Sequence, residues 1–408
     1  MHMRRLLCAL VAGSLALTAC GGKDEKGDAL SSGLTGDPIK IGQIAPTGTS
    51  FYNAPDSIAV AKAAVRGVNA RGGIGGRPLE LVYCNDEGDP NKATACARKM
   101  VSEKVVATVR SITIAGGAQV SAILQAAGIP DIGRGALIPA EFAAANAYLL
   151  DGGVAFPYAA VLRRFADKGG KKVFFAVTES ASADATLSTL TGLAGKLGLT
   201  VAGTRKLAPN TADYAPFVAD IDRSGAEAAL LAFPQQVIVQ TVRAADQAGL
   251  KVDWLLNGGG ITQADLTALP PAQTERMSVA TNTMPLSAAG GNEAVARMRS
   301  DIEEYFKTGD AAADPAKLFA TSLTAWAAVN VLPTLLKDEK KVDAATVRTA
   351  LDAAKDLPLG ISVPWTPSRP GPKNFSRVSH PYVYLNTVKN GEITLAEPEP
   401  VDVGALFG

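Results

Sequence analysis

Histidine is almost missing from this chain: His2 and His380 are the only two in 408 residues. Cysteine is nearly as scarce, with four scattered at positions 8, 20, 84 and 96. A zinc centre draws three or four ligands from these two residue types, so zinc chemistry is excluded. A charge bias is lacking as well, with 40 basic against 39 acidic side chains, which removes the support for a polyanion-binding surface or an acidic tail. Beyond the N-terminal segment no run of about 18 apolar residues occurs, so no later transmembrane helix is expected. Catalytic signatures are also missing: there is no Gly-x-Ser-x-Gly elbow, Ser-x-x-Lys, Walker loop, His-Glu-x-x-His or complete Gly-x-Gly-x-x-Gly. The glycines from Gly72 to Gly76 follow a helical pattern and precede a strand, the reverse of a dinucleotide-binding turn, and read as a tight turn. What is present is 47% hydrophobic and 19% charged residues over a length that allows two to three globular domains.

The N-terminus reads as an address. Arg4 and Arg5 precede an apolar run from Leu6 to Thr18, the length of a signal h-region and too short for a membrane anchor. It ends in Leu17-Thr18-Ala19-Cys20, which resembles a bacterial lipobox with Cys20 as the lipidated residue. Residues 1–19 are therefore expected to be a lipoprotein signal peptide; an ordinary cleavage site beside a chance cysteine is the alternative. Removal of Arg4 and Arg5 leaves 38 basic against 39 acidic residues. Residues 20–37 are rich in Gly, Ser, Lys and Asp and read as a flexible tether spanning about 20–25 Å.

From Pro38 onward, strand and helix signals alternate. Ile39–Ile44 and Leu79–Tyr83 read as strands around a helix carrying Ile58, Ala61, Val65 and Val68 at helical spacing. Asp89-Pro90 opens the next helix with a capping acid and a proline in its first turn. Short strands at 105–109 and 129–133 follow, and further units place strands at 172–177, 200–207, 228–232 and 253–256. Two helical patterns lie between Asn292 and Leu336, and the tail, with its Asn390-Gly391 turn, reads as a β-hairpin. Repeated βα units imply an α/β fold with parallel sheets.

The stretches Ile39-Lys40-Ile41-Gly42, Val68 to Arg77, Asp89-Pro90-Asn91-Lys92-Ala93, Gly170-Lys171-Lys172-Val173, Asp213-Tyr214-Ala215-Pro216-Phe217 and Ala248-Gly249-Leu250, in this order and spacing, resemble the leucine/isoleucine/valine-binding protein family. These are substrate-binding proteins, lipid-anchored or periplasmic, of ATP-driven importers. The resemblance implies two doubly wound parallel-sheet lobes joined by three crossovers, with ligand bound between them at the strand C-terminal ends. The expected division is residues 38–154 plus 284–340 for the first lobe and 155–283 plus 341–408 for the second, with hinges near Gly152–Pro157 and Asn282–Pro285. Cys84 and Cys96, in an oxidising exterior, are expected to form a disulfide; two buried free thiols are the alternative.

The family likeness also places the ligand. An aromatic from the loop after the first strand, Phe51 or Tyr52, is expected to wall it, unless the loop simply packs there. Ser111, Thr113 and Ile114, before a helix start, are expected to hold a ligand carboxylate, with helix capping by Thr113 as the alternative. Arg134, Gly135 and Ala136 follow the next strand. An arginine departs from the family pattern there, and is read as either an anion clamp or a solvated rim charge. Glu179, Ser180, Ser182, Phe233, Gln235, Asn257 and Gly258 are the second-lobe candidates. The acidic residue that pairs with a ligand ammonium in the family's amino-acid binders falls at or next to Gly258, where no acid stands.

The expectation is thus a non-catalytic, extracytoplasmic lipoprotein on the bacterial cell membrane that closes on an amino acid, carboxylate or amide and delivers it to ABC permease subunits. A sensory receptor of the same fold is the first rival and a secreted hydrolase the second, with His380 its only surviving base. No metal, other cofactor or nucleic acid is expected, membrane contact is through the lipid alone, and the chain is expected to be a monomer.

Overall fold

The structure, a computed structural model, describes residues 33–49, 52–180, 183–208 and 210–408. Cys20, Phe51 and Ser182 lie outside the described residues.

Five parallel strands form the first sheet in the order β2-β1-β3-β4-β5: β1 is Ile39–Ile44, β2 Leu79–Cys84, β3 Thr108–Val109, β4 Asp131–Ile132 and β5 Ala147–Tyr148. Strand β1 is an interior strand, buried because it is covered on both faces, as parallel sheets require. On one face, Ile39 and Ile41 pack with Val60 and Val68 of the helix Pro55–Ala70 and with Met298, Ile302 and Leu332 of two later helices. On the other, Ile44 and Val82 pack with Met100 of Pro90–Ser102 and with Val120 and Leu124 of Gly117–Ala126. Gly42 makes this second layer fit, since a Cβ there would lie 2.4 Å from Met100 Sδ. Asp89 caps its helix as expected, accepting from the Asn91 and Lys92 amides at 2.9 Å.

The second sheet runs β12-β11-β10-β9-β8-β6-β7. Its parallel strands are β6 (Lys172–Thr178), β7 (Thr200–Leu207), β8 (Ala228–Ala232), β9 (Asp253–Asn257) and β10 (Met277–Thr281). The C-terminal hairpin β11 (Tyr382–Lys389) and β12 (Glu392–Leu395) is added antiparallel along β10, and β13 (Val401–Asp402) pairs with β11. Asn390 and Gly391 have φ of 52° and 75°, the left-handed pair that a tight two-residue hairpin turn needs.

Three crossovers join the lobes, after β5, after β10 and before β11. Leu149 bridges Val378, tying the first crossover to the third, and the Met284 amide of the second donates to Ile361 O of the first-lobe segment ahead of the third at 2.9 Å. Phe375 of the third crossover contacts Phe142 from the first lobe at 4.7 Å and Phe156 from the second at 5.1 Å, both edge-to-face. One expectation needs correction. Residues 341–408 were assigned as a block to the second lobe, yet Val347, Leu351, Leu357, Ile361 and Trp365 join the first-lobe core. The third crossover follows Trp365, because the helix Ala344–Ala353 buries its apolar side on Thr324–Leu336 rather than on the second sheet.

Cys84 at the end of β2 and Cys96 in the following helix are joined by a disulfide, closing a loop across 12 positions of sequence.

Candidate functional site

The C-terminal ends of β1, β3 and β4 in one lobe and of β6, β8 and β9 in the other carry the loops expected to bind ligand. Tyr52 follows β1 in a loop braced by Thr49, whose amide donates to Asn53 Oδ1 at 2.8 Å and whose hydroxyl donates to Tyr52 O at 2.5 Å. Its side chain is among the exposed aromatics at 38%, yet desolvation raises its hydroxyl pKa, with Arg110 opposing and Asp56 adding to the shift.

The hydroxyls expected to meet a carboxylate are occupied inside the first lobe. Ser111 is fully buried and its Oγ accepts the Ile44 amide at 3.1 Å, pinning the loop after β3 to the end of β1. Thr113 Oγ1 accepts from Arg134 Nη2 at 2.5 Å. Ile114 is half-buried against Gly88, where a Cβ would meet its Cδ1 at 2.7 Å.

Arg134 is neither a rim charge nor a free clamp. It is 0% exposed, and its guanidinium donates from Nη1 to Asp131 at 3.0 Å, from Nε to Glu141 Oε1 at 3.0 Å, and from Nη2 to Glu141 and Thr113. Glu141 Oε2 in turn accepts the amides of Leu137 and Ile138. Burial holds the Asp131 carboxyl above its ordinary pKa even with Arg134 beside it. The network thus fixes the loop after β4, whose Gly135 amide bonds Ser111 O and whose Ala136 is buried, instead of facing solvent. Leu137 and Ile138, exposed at 47% and 41%, are what this loop shows to solvent, and Val154 of the first crossover is 55% exposed.

In the second lobe Glu179 is exposed and its carboxylate forms no ion pair among the described residues; Ser180 is also exposed. Phe233 belongs to the core, edge-to-face with Phe217 at 5.9 Å, and Gln235 Nε2 donates to Asp265 at 2.7 Å. Asn257 is buried; it donates to the Tyr158 hydroxyl at 2.6 Å and accepts the Gly259 amide at 2.7 Å. Gly258 touches the opposite lobe, its carbonyl accepting the Ala320 amide at 2.9 Å, and a Cβ there would lie 2.8 Å from Ala320 Cβ.

Three features of this region escaped the sequence reading: one segment and two charged side chains. The segment Phe319–Thr321 faces the Gly258-Gly259 loop, with a Cβ on Gly259 only 3.3 Å from Thr321 Cγ2. Asp56, in the first turn of its helix, positions that segment by accepting from Phe319 N at 3.2 Å and Ser322 Oγ at 2.5 Å. Arg110, at the end of β3, is 7% exposed and ion-paired to Asp151 of the first crossover at 2.7 Å. An acid in a helix first turn was the one available signal for Asp56, and that pattern reads equally well as dipole compensation. Asp86, after β2, is fully buried, and its Oδ1 accepts the Gly88 amide at 3.1 Å.

A separate cavity of about 260 Å³ lies beside the second crossover, between Ile261 and Ile393 of one lobe and Leu318 and Leu323 of the other, with Pro285 and Leu286 of the crossover itself. It includes none of the residues expected at the ligand site.

Among solved structures the chain is similar to a branched-chain amino acid ABC transporter protein from Thermus thermophilus with bound valine (18% identity, TM-score 0.71, covering 92% of this chain and 98% of that one). It is also similar to a fatty acid ABC transporter substrate-binding protein from Thermomonospora curvata (18%, 0.70, 92% and 95%). A substrate-binding periplasmic protein from Ralstonia solanacearum is a third (18%, 0.70, 88% and 99%). No curated protein matches the chain. At these identities the likeness establishes the shared two-lobed architecture. The periplasmic binding protein family model matches residues 38–391, and the chain belongs to that family of two-lobed solute-binding proteins.

Proposed function

We propose that the chain is the extracytoplasmic receptor of an ABC importer, anchored through lipid on Cys20, and that it closes its lobes on a small solute with an apolar body and hands it to membrane permease subunits. The observation that carries this reading is the pair of facing strand ends, with the loop of Tyr52 on one side and the Asn257-Gly258 loop on the other, in two lobes linked by three crossovers. Ligand that binds the closed arrangement better shifts the population toward it. Neighbours named for amino-acid and fatty-acid transport support the transport role. Among the described residues no helix is long and apolar enough to cross a membrane.

The ligand class we favour carries no ammonium, the alternative being that Glu179 or another acid supplies its partner. The Gly258 position leaves no room for an acidic side chain beside Ala320, and an ammonium without a carboxylate partner is costly to bury. A carboxylate or amide with an apolar body fits better than leucine, isoleucine or valine. A thermal-shift screen of amino acids, aromatic acids, short-chain acids and amides, followed by calorimetry, tests this. A 1:1 acid or amide ligand supports the reading, and tight binding of leucine with no better ligand in the panel refutes the ligand class.

A further inference from the structure

Two arginines end consecutive strands at the ligand side of the first lobe. Arg134 has every nitrogen of its guanidinium engaged by Asp131, Glu141 and Thr113. Arg110 uses Nη1 alone, toward Gly133 O at 3.2 Å and Asp151 Oδ2 at 2.7 Å. Its Nε and Nη2 form no hydrogen bond among the described residues. Its side chain keeps 9% of its surface accessible, whereas that of Arg134 has none. The Arg110 backbone has φ of 43°, a left-handed conformation that long side chains rarely adopt and that concentrates at functional positions. Bonds from Arg110 N to Ile132 O at 2.9 Å and from Gln43 Nε2 to Arg110 O at 3.4 Å hold it there.

We infer that Arg110 is the anion contact of the cleft, and that its ion pair with Asp151 couples ligand occupancy to the first crossover. This deepens the solute-binding reading and rests on it. Nε and Nη2 form the fork that grips a carboxylate through two parallel hydrogen bonds. Asp151 holds the crossover as well, since its Oδ1 accepts the Gly153 amide at 2.9 Å. A carboxylate gripped by Nε and Nη2 leaves Nη1 to Asp151 but shares the one guanidinium charge with it and is repelled by it, so binding weakens the tie between the ligand loop and the crossover. Asp56, Asp86, Asp131 and Glu141 surround the region, and the last two are neutralised by Arg134. The ligand class that follows is a monocarboxylate whose apolar body lies along Tyr52, with Leu137, Ile138 and Val154 near the mouth.

The test uses the mature chain with matched acid and amide probes, phenylacetate against phenylacetamide and hexanoate against hexanamide, alongside the wider solute panel. For the wild type, one acid binds about 10- to 100-fold more tightly than its amide, the range of a hydrogen-bonded charge. Arg110→Gln removes that preference by weakening the acid far more than the amide, while Asp151→Asn tightens the acid relative to the amide. Equal binding of acid and amide overturns the inference, and so does an Arg110→Gln protein that keeps the acid preference. Asp151→Asn weakening acid and amide alike marks a purely structural pair and also overturns it. If Arg110→Gln fails to fold, the sign of the Asp151→Asn effect decides. A ligand elsewhere in the panel without a carboxylate overturns the inference and leaves solute binding intact, whereas no ligand at all overturns both.

Discussion

Replacing Arg134 by Met removes a cation from a site where no water can take its place. Arg134 is 0% exposed and joins Asp131 and Glu141, whose side chains are 2% and 1% exposed. Without it two carboxylates face each other in the interior, and stripping one partner from a buried ion network costs about 3–5 kcal/mol. For a lobe of this size each kcal/mol moves the midpoint by about 2–4 °C, so Arg134→Met should melt about 6–20 °C lower than wild type at pH 7. The pH dependence follows from the direction in which burial moves the carboxyl. Asp131 already sits above its ordinary pKa in the native protein, and losing Arg134 raises it further. A carboxyl raised by folding takes up its proton more readily in the native than in the unfolded chain, so stability recovers as pH falls through the raised folded value. The deficit is therefore largest near neutrality and narrows toward pH 4. Differential scanning calorimetry across that range is the assay. Arg134→Met combined with Asp131→Asn and Glu141→Gln should regain much of the loss at pH 7, because the uncompensated charge is gone. A single variant within about 1 kcal/mol of wild type, the value of an exposed ion pair, would refute the reasoning.

Three further outcomes are expected. Burial lowers the His380 pKa to about 4, so its neutral state adds stability above pH 6.5 that is lost as pH falls toward 4, on the order of 3 kcal/mol in all; His380→Gln should narrow the gap to wild type in acid, as read from melting curves between pH 8 and 4. Replacing Cys84 and Cys96 by Ser should cost about 3 kcal/mol and make the wild-type sensitivity to dithiothreitol disappear, as followed by urea unfolding. Cys20→Ala should move the protein from the membrane fraction to the soluble one on cell fractionation, and an unchanged membrane share would defeat the lipid anchor.

The strands were legible where apolar residues alternate, as at Ile39–Ile44, or run unbroken for five residues, as at Val173–Val177, because burial of a sheet on one or both faces writes those patterns into the chain. Short β5 and the segment Phe319–Thr321 carry no such pattern; tertiary packing alone puts them in place. The same holds for the site. Arg110 and Arg134 both follow short apolar strands and look alike in sequence. What separates them is that Asp131 and Glu141 fold back onto one and leave the donors of the other open. Ser111 and Thr113 were recognisable as hydroxyls in a ligand loop, but whether a hydroxyl meets solute or the protein's own backbone depends on neighbours far away in the chain, here Ile44 and Arg134. The lobe boundary before β11 was misplaced for a related reason: the helix Ala344–Ala353 has an apolar face that fits either lobe until Thr324–Leu336 is seen beside it.

The central claim is that the two lobes close on a solute. Small-angle X-ray scattering of the mature protein, before and after saturation with the tightest ligand from the calorimetric screen, tests it most directly. The account predicts a smaller radius of gyration with ligand, and no such change when Tyr52→Ala protein is mixed with the same ligand at the same concentration. A 1:1 ligand that leaves the radius of gyration unchanged in the wild type would contradict it.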